Sequence, residues 1–299
     1  MCTLSDGVNG LPSAVIATDE GEDGVLRGRP GRETRVDSIE VGGLAIAFER
    51  QGIGPPLLLL HGILQDSRAW RPQLDALSDE FTVVAWDAPG CGRSSDPPEA
   101  FRLPEYADCL AAFVEALGLG QPHVLGLSLG GALALELYRR HPRIPRTLVL
   151  ASAYAGWAGS LPAEVVEQRL QQALREADLP PDVFVPAWIP GLLTDAASPA
   201  LVDDVMAVMS DFHPAGYRAM AQALAEADLR GVRPRVAVPT LLLYGDADRR
   251  SPLTVAEDLH ARIPGSTLAV IPGVGHLSNL EAAESFNAEV RGFLRRAHT

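Results

Sequence analysis

Residues 123–140 read HVLGLSLGGALALELYRR, and the pattern of the chain changes at Ser128. His123 to Leu127 is expected to be a buried strand, and Leu129 to Arg140 a helix. Gly126-Leu127-Ser128-Leu129-Gly130 is therefore a Gly-x-Ser-x-Gly pentapeptide standing at a strand-to-helix junction. Alone, the pentapeptide is a weak signal; at this junction, a strained elbow would hold the serine Oγ clear of the sheet. The flanking glycines fit, because a side chain at either position would collide with the neighbouring strand or helix. A helix N-terminus directly after the serine also points free N–H groups and a partial positive charge at an oxygen that becomes anionic.

The alternation extends in both directions. Ser38 to Val41 and Leu44 to Glu49, joined by Gly42-Gly43, read as a hairpin. Leu57 to Leu60 is a continuous apolar run ending at His61-Gly62. Ser67 to Leu77 fits a helix with Trp70, Leu74 and Leu77 spaced three and four apart, and Phe81 to Trp86 is a further buried strand closed by Asp87-Ala88-Pro89-Gly90. Pro104 to Leu117 is expected to be helical, with Gly118 at its C-terminal cap. Strands are expected at Thr147 to Ala151, Thr240 to Tyr244 and Thr267 to Ile271, and helices at Thr254 to Arg262 and Asn279 to Arg296. Such alternation implies an α/β fold, a mostly parallel sheet flanked by helices. Between Trp157 and Arg233 it stops, leaving helical segments opened by prolines, as at Ser198-Pro199 and His213-Pro214. The expected organisation is an α/β core over 36–157 and 233–299 with a helical lid over 158–232 inserted above the strand ends, where ligands of open parallel sheets bind. Residues 1–35, rich in Gly, Asp, Glu and Arg, are expected to form a poorly ordered tail.

Composition narrows the function classes. The 299 residues carry 25 Lys+Arg against 38 Asp+Glu, and the resulting net charge of −13 opposes nucleic acid and anionic membrane as partners. No apolar run approaches the roughly 18 residues that span a bilayer, so a soluble protein is expected. Every one of the 25 basic residues is arginine, which excludes Schiff-base chemistry. Cys2, Cys91 and Cys109 lack CxxC or Cys/His spacing, so neither a disulfide framework nor a metal site is expected. The first ten residues, MCTLSDGVNG, show no basic region followed by an apolar stretch, and a cytoplasmic location is expected.

A serine hydroxyl attacks only when a base takes its proton and an acid orients that base. His276 stands in Pro272-Gly273-Val274-Gly275-His276 after one expected strand, and Asp248 in Gly245-Asp246-Ala247-Asp248 after another. Asp246 competes with Asp248 for the orienting role.

Taken in order, His61-Gly62, Asp87-x-Pro-Gly-x-Gly-x-Ser94, the Ser128 pentapeptide, Gly245-x-x-Asp248-x-x-x-Pro252 and Gly275-His276 resemble the α/β-hydrolase superfamily over about residues 38–296. Within it, His276-Leu277-Ser278-Asn279-Leu280-Glu281 followed by Phe286-Asn287 is similar to the 3-oxoadipate enol-lactonase group and its generic esterase relatives. The resemblance implies a serine hydrolase that needs no cofactor and acts on a small, moderately apolar carboxylic ester or lactone. Ser128 would be the nucleophile, His276 the base and Asp248, at the family's third position after Gly245, the orienting acid. The backbone N–H groups of Ile63 and Leu129 would form the oxyanion hole, with His61 shaping that loop. Leu64, Trp157, Trp188 and Leu277 are candidate pocket residues. Cys91 is expected to be a small buried turn residue, and Met206, Met209 and Met220 to pack the lid.

Other members of the fold are distinguished at single positions. Ser128 argues against epoxide hydrolases and haloalkane dehalogenases, which use an aspartate at the elbow, and the absence of lysine against plant-type hydroxynitrile lyases. Leu277 stands where carbon–carbon bond hydrolases usually carry tryptophan, which weakens that reading. A perhydrolase uses the same triad and remains an alternative, as does a ligand sensor that keeps the triad and a four-helix lid.

Overall fold

In the computed structural model, residues 17–19 and 36–297 are described. β1 (Ala17–Asp19) pairs antiparallel with β2 (Val36–Val41); the rest of the segment expected as a tail, 1–35, lies outside the described residues. β2 and β3 (Leu44–Gln51) form the expected hairpin, because Gly42 and Gly43 take φ of 57° and 86°, as a two-residue turn between twisted strands requires.

β4 (Pro56–Leu60), α1 (Arg71–Leu77), β5 (Thr82–Trp86), α2 (Leu103–Ala116), β6 (His123–Leu127), α3 (Leu129–Arg140) and β7 (Thr147–Ala151) follow. Four helices then interrupt the alternation: α4 (Ala163–Glu176), α5 (Pro181–Leu192), α6 (Pro199–Ser210) and α7 (Pro214–Glu226). β8 (Thr240–Gly245), α8 (Leu253–Arg262), β9 (Thr267–Ile271), α9 (Ser278–Glu281) and α10 (Ala283–Arg296) complete the chain. The described strands form one sheet in the order β1-β2-β3-β5-β4-β6-β7-β8-β9, parallel from β5 to β9. From β4 the order runs one way to β5 and the other way to β6. The switch point therefore lies between β4 and β6, which is where an open α/β sheet leaves a crevice at its carboxyl edge.

Two expected helices are divided. Ser67–Trp70 forms a separate 3-10 turn capped by Asp66, whose Oδ1 accepts the Arg68 N–H at 2.9 Å, and Pro72 lies in the first turn of α1. The helix expected from Asn279 to Arg296 breaks at Ala282 (φ −133°, ψ 53°), next to Glu281, whose carboxylate is anchored outside the helix by the backbone N–H groups of Thr194 and Gly275.

Strand periodicity builds two cores. Leu58, Leu60, Val84, Trp86 and Val124 pack against α2 and α3, while Leu57, Leu59, Val83, Ala85 and Leu125 face the side of α1 and α10. Both faces of the central strands are covered, so β4 to β7 read as unbroken apolar runs. Above the carboxyl edge, α7 closes on the turn after β5: a Cβ on Gly216 would lie 2.0 Å from the Gly90 carbonyl oxygen, so only glycine permits the approach. His213, just before α7, adds hydrogen bonds to Asp96 (2.7 Å) and the Gly92 carbonyl (3.0 Å). Among the described residues no helix is long and apolar enough to cross a membrane.

Candidate active site

Ser128 leaves β6 at φ 54° and ψ −109°, a conformation that costs a non-glycine residue about 1–3 kcal/mol and persists only when its surroundings impose it. The surroundings do so. The Ser128 N–H continues the sheet by donating to the Ala151 carbonyl at 2.9 Å, and the Ser128 carbonyl accepts from Gly131 (3.0 Å) and Ala132 (3.2 Å) to start α3. A Cβ on Gly126 would lie 2.1 Å from the Gly130 oxygen, and one on Gly130 2.1 Å from the Leu60 oxygen, so neither glycine is replaceable without moving backbone.

β8 and β9 deliver the other two groups from their carboxyl ends. His276 Nδ1 donates to Asp248 Oδ2 at 2.9 Å, and both side chains are buried. With the proton on Nδ1, the Nε2 lone pair is free to accept one. Asp248 Oδ1 takes the backbone N–H groups of Arg250 and Ser251, each at 2.8 Å. Burial pushes the Asp248 carboxyl up, but the His276 charge and hydrogen bond and the Ser251 N–H outweigh it and hold the carboxyl below its ordinary value. Asp246, the competing candidate, is exposed; its Oδ1 accepts the Gly273 N–H at 2.6 Å and ties the two loops together instead. Glu281 steadies the histidine loop from the other side, with Oε2 on the Gly275 N–H at 2.7 Å and Oε1 on the Thr194 N–H at 2.9 Å.

The loop after β4 is held by its own hydrogen bonds. His61 Nδ1 donates to the Gly62 carbonyl at 2.8 Å and Nε2 accepts the Ala88 N–H at 3.0 Å, an arrangement that needs neutral imidazole; burial accordingly lowers the His61 pKa. The Gly62 N–H is taken by Gln65 Oε1 at 3.1 Å. Among the described residues, no acceptor is within hydrogen-bond reach of the Ile63 or Leu129 N–H. Leu129 opens α3, where the first amides have no intrahelical partner.

Ser128, His276 and Ile63 line a cavity of about 260 Å³, walled by Trp188 and Leu192 of α5, Leu277 and the side chain of Arg250. Across Gln65, which borders both, lies a second cavity of about 280 Å³ lined by Leu64, Cys91, Phe212, Tyr217 and Met220. Of the four candidate pocket residues, Trp188 and Leu277 thus join Ser128, Leu64 faces the second cavity, and Trp157 lines neither. Trp157 is buried in the core beneath α4 and α7, its backbone N–H on the Leu224 carbonyl at 2.9 Å and the Arg169 guanidinium 5.7 Å from its ring. Cys91 is buried in its turn, as expected, 3.6 Å from the Met220 sulfur.

Sequence reading missed Arg250 and Glu176. Glu176 is buried at the end of α4 and accepts from Trp188 Nε1 (3.0 Å), the Tyr217 hydroxyl (2.7 Å) and Gln172 Nε2 (2.7 Å), so it fixes the plane of the Trp188 ring. The amphipathic pattern of α4 gives no sign of this, because an acid at the helix end ordinarily faces solvent.

Comparison with known proteins agrees with this architecture. A family model described as the alpha/beta hydrolase family matches residues 57–289. The 3-oxoadipate enol-lactonase 2 of Acinetobacter baylyi is 27% identical over 245 residues, covering 81% of this chain and 89% of the enol-lactonase. A thermophilic esterase from Thermogutta terrifontis, solved with malate bound, superposes with a TM-score of 0.80 at 30% identity, covering 92% of this chain and 97% of the esterase. The enol-lactonase from Burkholderia xenovorans shares the fold, with a TM-score of 0.80 at 24% identity over 86% of this chain and 99% of that one. With the family pattern matched from the first parallel strand to the last helix, this chain belongs to the alpha/beta hydrolase family.

Proposed function

We propose that the protein is a serine hydrolase that cleaves a small carboxylic ester or lactone through an acyl-enzyme on Ser128. His276 Nε2 takes the Ser128 proton as Oγ attacks the carbonyl carbon, and Asp248 holds the imidazole in the required tautomer and balances the imidazolium that forms. The Ile63 and Leu129 N–H groups stabilise the oxyanion of the tetrahedral intermediate, a contribution of several kcal/mol when two such donors are preorganised. His276 then returns the proton to the leaving oxygen. Water, activated by the same imidazole, releases the acid and regenerates Ser128. The four lid helices cover this site from above, and Trp188 and Leu277 supply apolar contact for the substrate.

The observation that carries this reading is the Nδ1–Oδ2 hydrogen bond of 2.9 Å between His276 and Asp248, with the imidazole facing the same cavity as the strained Ser128. The related enol-lactonase and esterase favour an oxygen ester over other acyl derivatives. The test is a panel of aryl esters of graded acyl length and five-membered lactones, assayed with the wild type and Ser128→Ala and with products identified by mass. Turnover by the wild type that Ser128→Ala lacks is the expected result; equal turnover by both proteins refutes the mechanism.

A further inference from the structure

Among the described residues, Arg250 is the one arginine on the wall of the cavity that holds Ser128 and His276. It stands two residues after Asp248, and its backbone is held on both sides. Its N–H lies on Asp248 Oδ1 at 2.8 Å, while its carbonyl accepts from Arg169 Nη2 at 3.0 Å and from the Tyr154 hydroxyl. The side chain runs along α5 beside Gly191 and places the guanidinium carbon 3.9 Å from the centroid of the Trp188 ring. Glu176 fixes that ring from behind through the indole N–H, so the platform under the guanidinium is rigid.

No described carboxylate lies within ion-pair distance of this guanidinium. The acids close enough to serve are already committed: Asp248 to His276 and two backbone amides, Glu176 to three donors in the lid. The charge of Arg169 adds to the positive potential at this guanidinium rather than relieving it. A largely buried cation without a counter-ion is costly, and in a chain with 38 acids against 25 arginines its isolation is chemically specific. A planar fork of N–H donors, stacked on an indole in a residue that lines a reaction cavity, is complementary to a carboxylate.

We propose that Arg250 is a specificity-determining residue that binds a free carboxylate on the substrate, so that the ester or lactone cleaved at Ser128 is an anionic one, such as a dicarboxylic acid half-ester or a lactone bearing a carboxylate. The inference rests on the hydrolase reading above. Arg250 and Ser128 line the same cavity, so the carboxylate and the scissile carbonyl would belong to one molecule. In a protein of net charge −13, the Arg250 guanidinium also offsets the repulsion that such an anion would otherwise meet at this cavity.

The experiment compares monomethyl succinate with dimethyl succinate, and a γ-butyrolactone carboxylate with γ-butyrolactone, in wild type, Arg250→Met and Arg250→Lys. The reading is the ratio of kcat/KM for the anionic over the neutral member of each pair. The wild-type ratio is expected to exceed one and to fall about 10- to 100-fold in Arg250→Met, chiefly through KM, with Arg250→Lys in between. Turnover of the neutral member, together with the melting temperature, reports whether each variant is folded. A wild-type ratio at or below one, or a ratio unchanged in Arg250→Met, overturns the proposal. A second arm, calorimetric binding of succinate to the Ser128→Ala protein with and without Arg250→Met, does not depend on turnover. Arg250-dependent binding without hydrolysis of any ester would retain the carboxylate site and remove the hydrolase reading. Arg250-independent succinate binding beside normal hydrolysis would do the reverse.

Discussion

Replacing Asp248 by asparagine tests the proposed mechanism at its most constrained point, because the structure dictates which way the amide faces. Asp248 Oδ1 accepts two backbone N–H groups at 2.8 Å, those of Arg250 and Ser251. Turning the asparagine NH₂ toward them would set donors against donors and strand the buried Ser251 amide, at about 1–3 kcal/mol, and the partly buried Arg250 amide with it. The amide oxygen therefore occupies the Oδ1 position, and the NH₂ takes the place of Oδ2, 2.9 Å from His276 Nδ1. Facing a donor, the imidazole must present an unprotonated Nδ1, which puts its proton on Nε2, the nitrogen that faces the cavity. A base with its lone pair turned away cannot take the Ser128 proton. The same inversion in serine proteases costs about 10⁴-fold in kcat, or about 5 kcal/mol of barrier, and a loss of this order with little change in KM is expected here. The assay is steady-state hydrolysis of an aryl acetate at neutral pH, with thermal melting to show that the variant is folded. A folded Asp248→Asn protein that retains more than a tenth of wild-type kcat would refute the roles given to Asp248 and His276.

Three further outcomes follow from the same geometry. Gly130→Ala places a Cβ 2.1 Å from the Leu60 carbonyl oxygen, so this variant is expected to lose more than about 3 kcal/mol of stability and to accumulate in the insoluble fraction on expression. At the elbow, Ser128→Gly and Ser128→Ala are both expected to be inactive, but the glycine variant should melt at or above the alanine one, reversing the usual order, because only glycine relieves the φ of 54°. The Asp248 carboxyl is held below its ordinary value, so its contribution to stability is full above the unfolded value of about 3.9 and is lost as pH falls through the folded one. Denaturant titrations at pH 6 and pH 3 should therefore show the stability gap between wild type and Asp248→Asn narrowing in acid; a gap that widens would contradict the pairing.

Much of this arrangement is local and so legible in the chain. Strand β6, helix α3 and the elbow between them are written in an apolar run, a helical period and two glycines that no side chain can replace. Positions past strand ends, such as Asp248 and His276, are legible for the same reason, since the ends of buried strands are sharply marked. What resisted reading depends on direction in space. Leu64, with φ of 59°, turns toward the second cavity, and Trp157 is drawn into the core by the path of the chain after β7. Arg250 is not legible in the sequence, because what sets it apart is that no described carboxylate pairs with it, a property of packing that no spacing encodes. Glu281 belongs with them: in sequence it continues a helix, and only the proximity of Thr194 and Gly275 shows why the helix stops there.

The grip of Asp248 on position 250 has an evolutionary side. The carboxylate holds that residue by its backbone N–H alone, and nineteen of the twenty amino acids supply one, proline being the exception. Under the readings proposed here, a single codon change at position 250 can therefore retarget the hydrolase to a differently charged compound while the acid that aligns the histidine keeps both of its amide supports. Diversification of ligand preference and preservation of chemistry are in this way made separable within one loop.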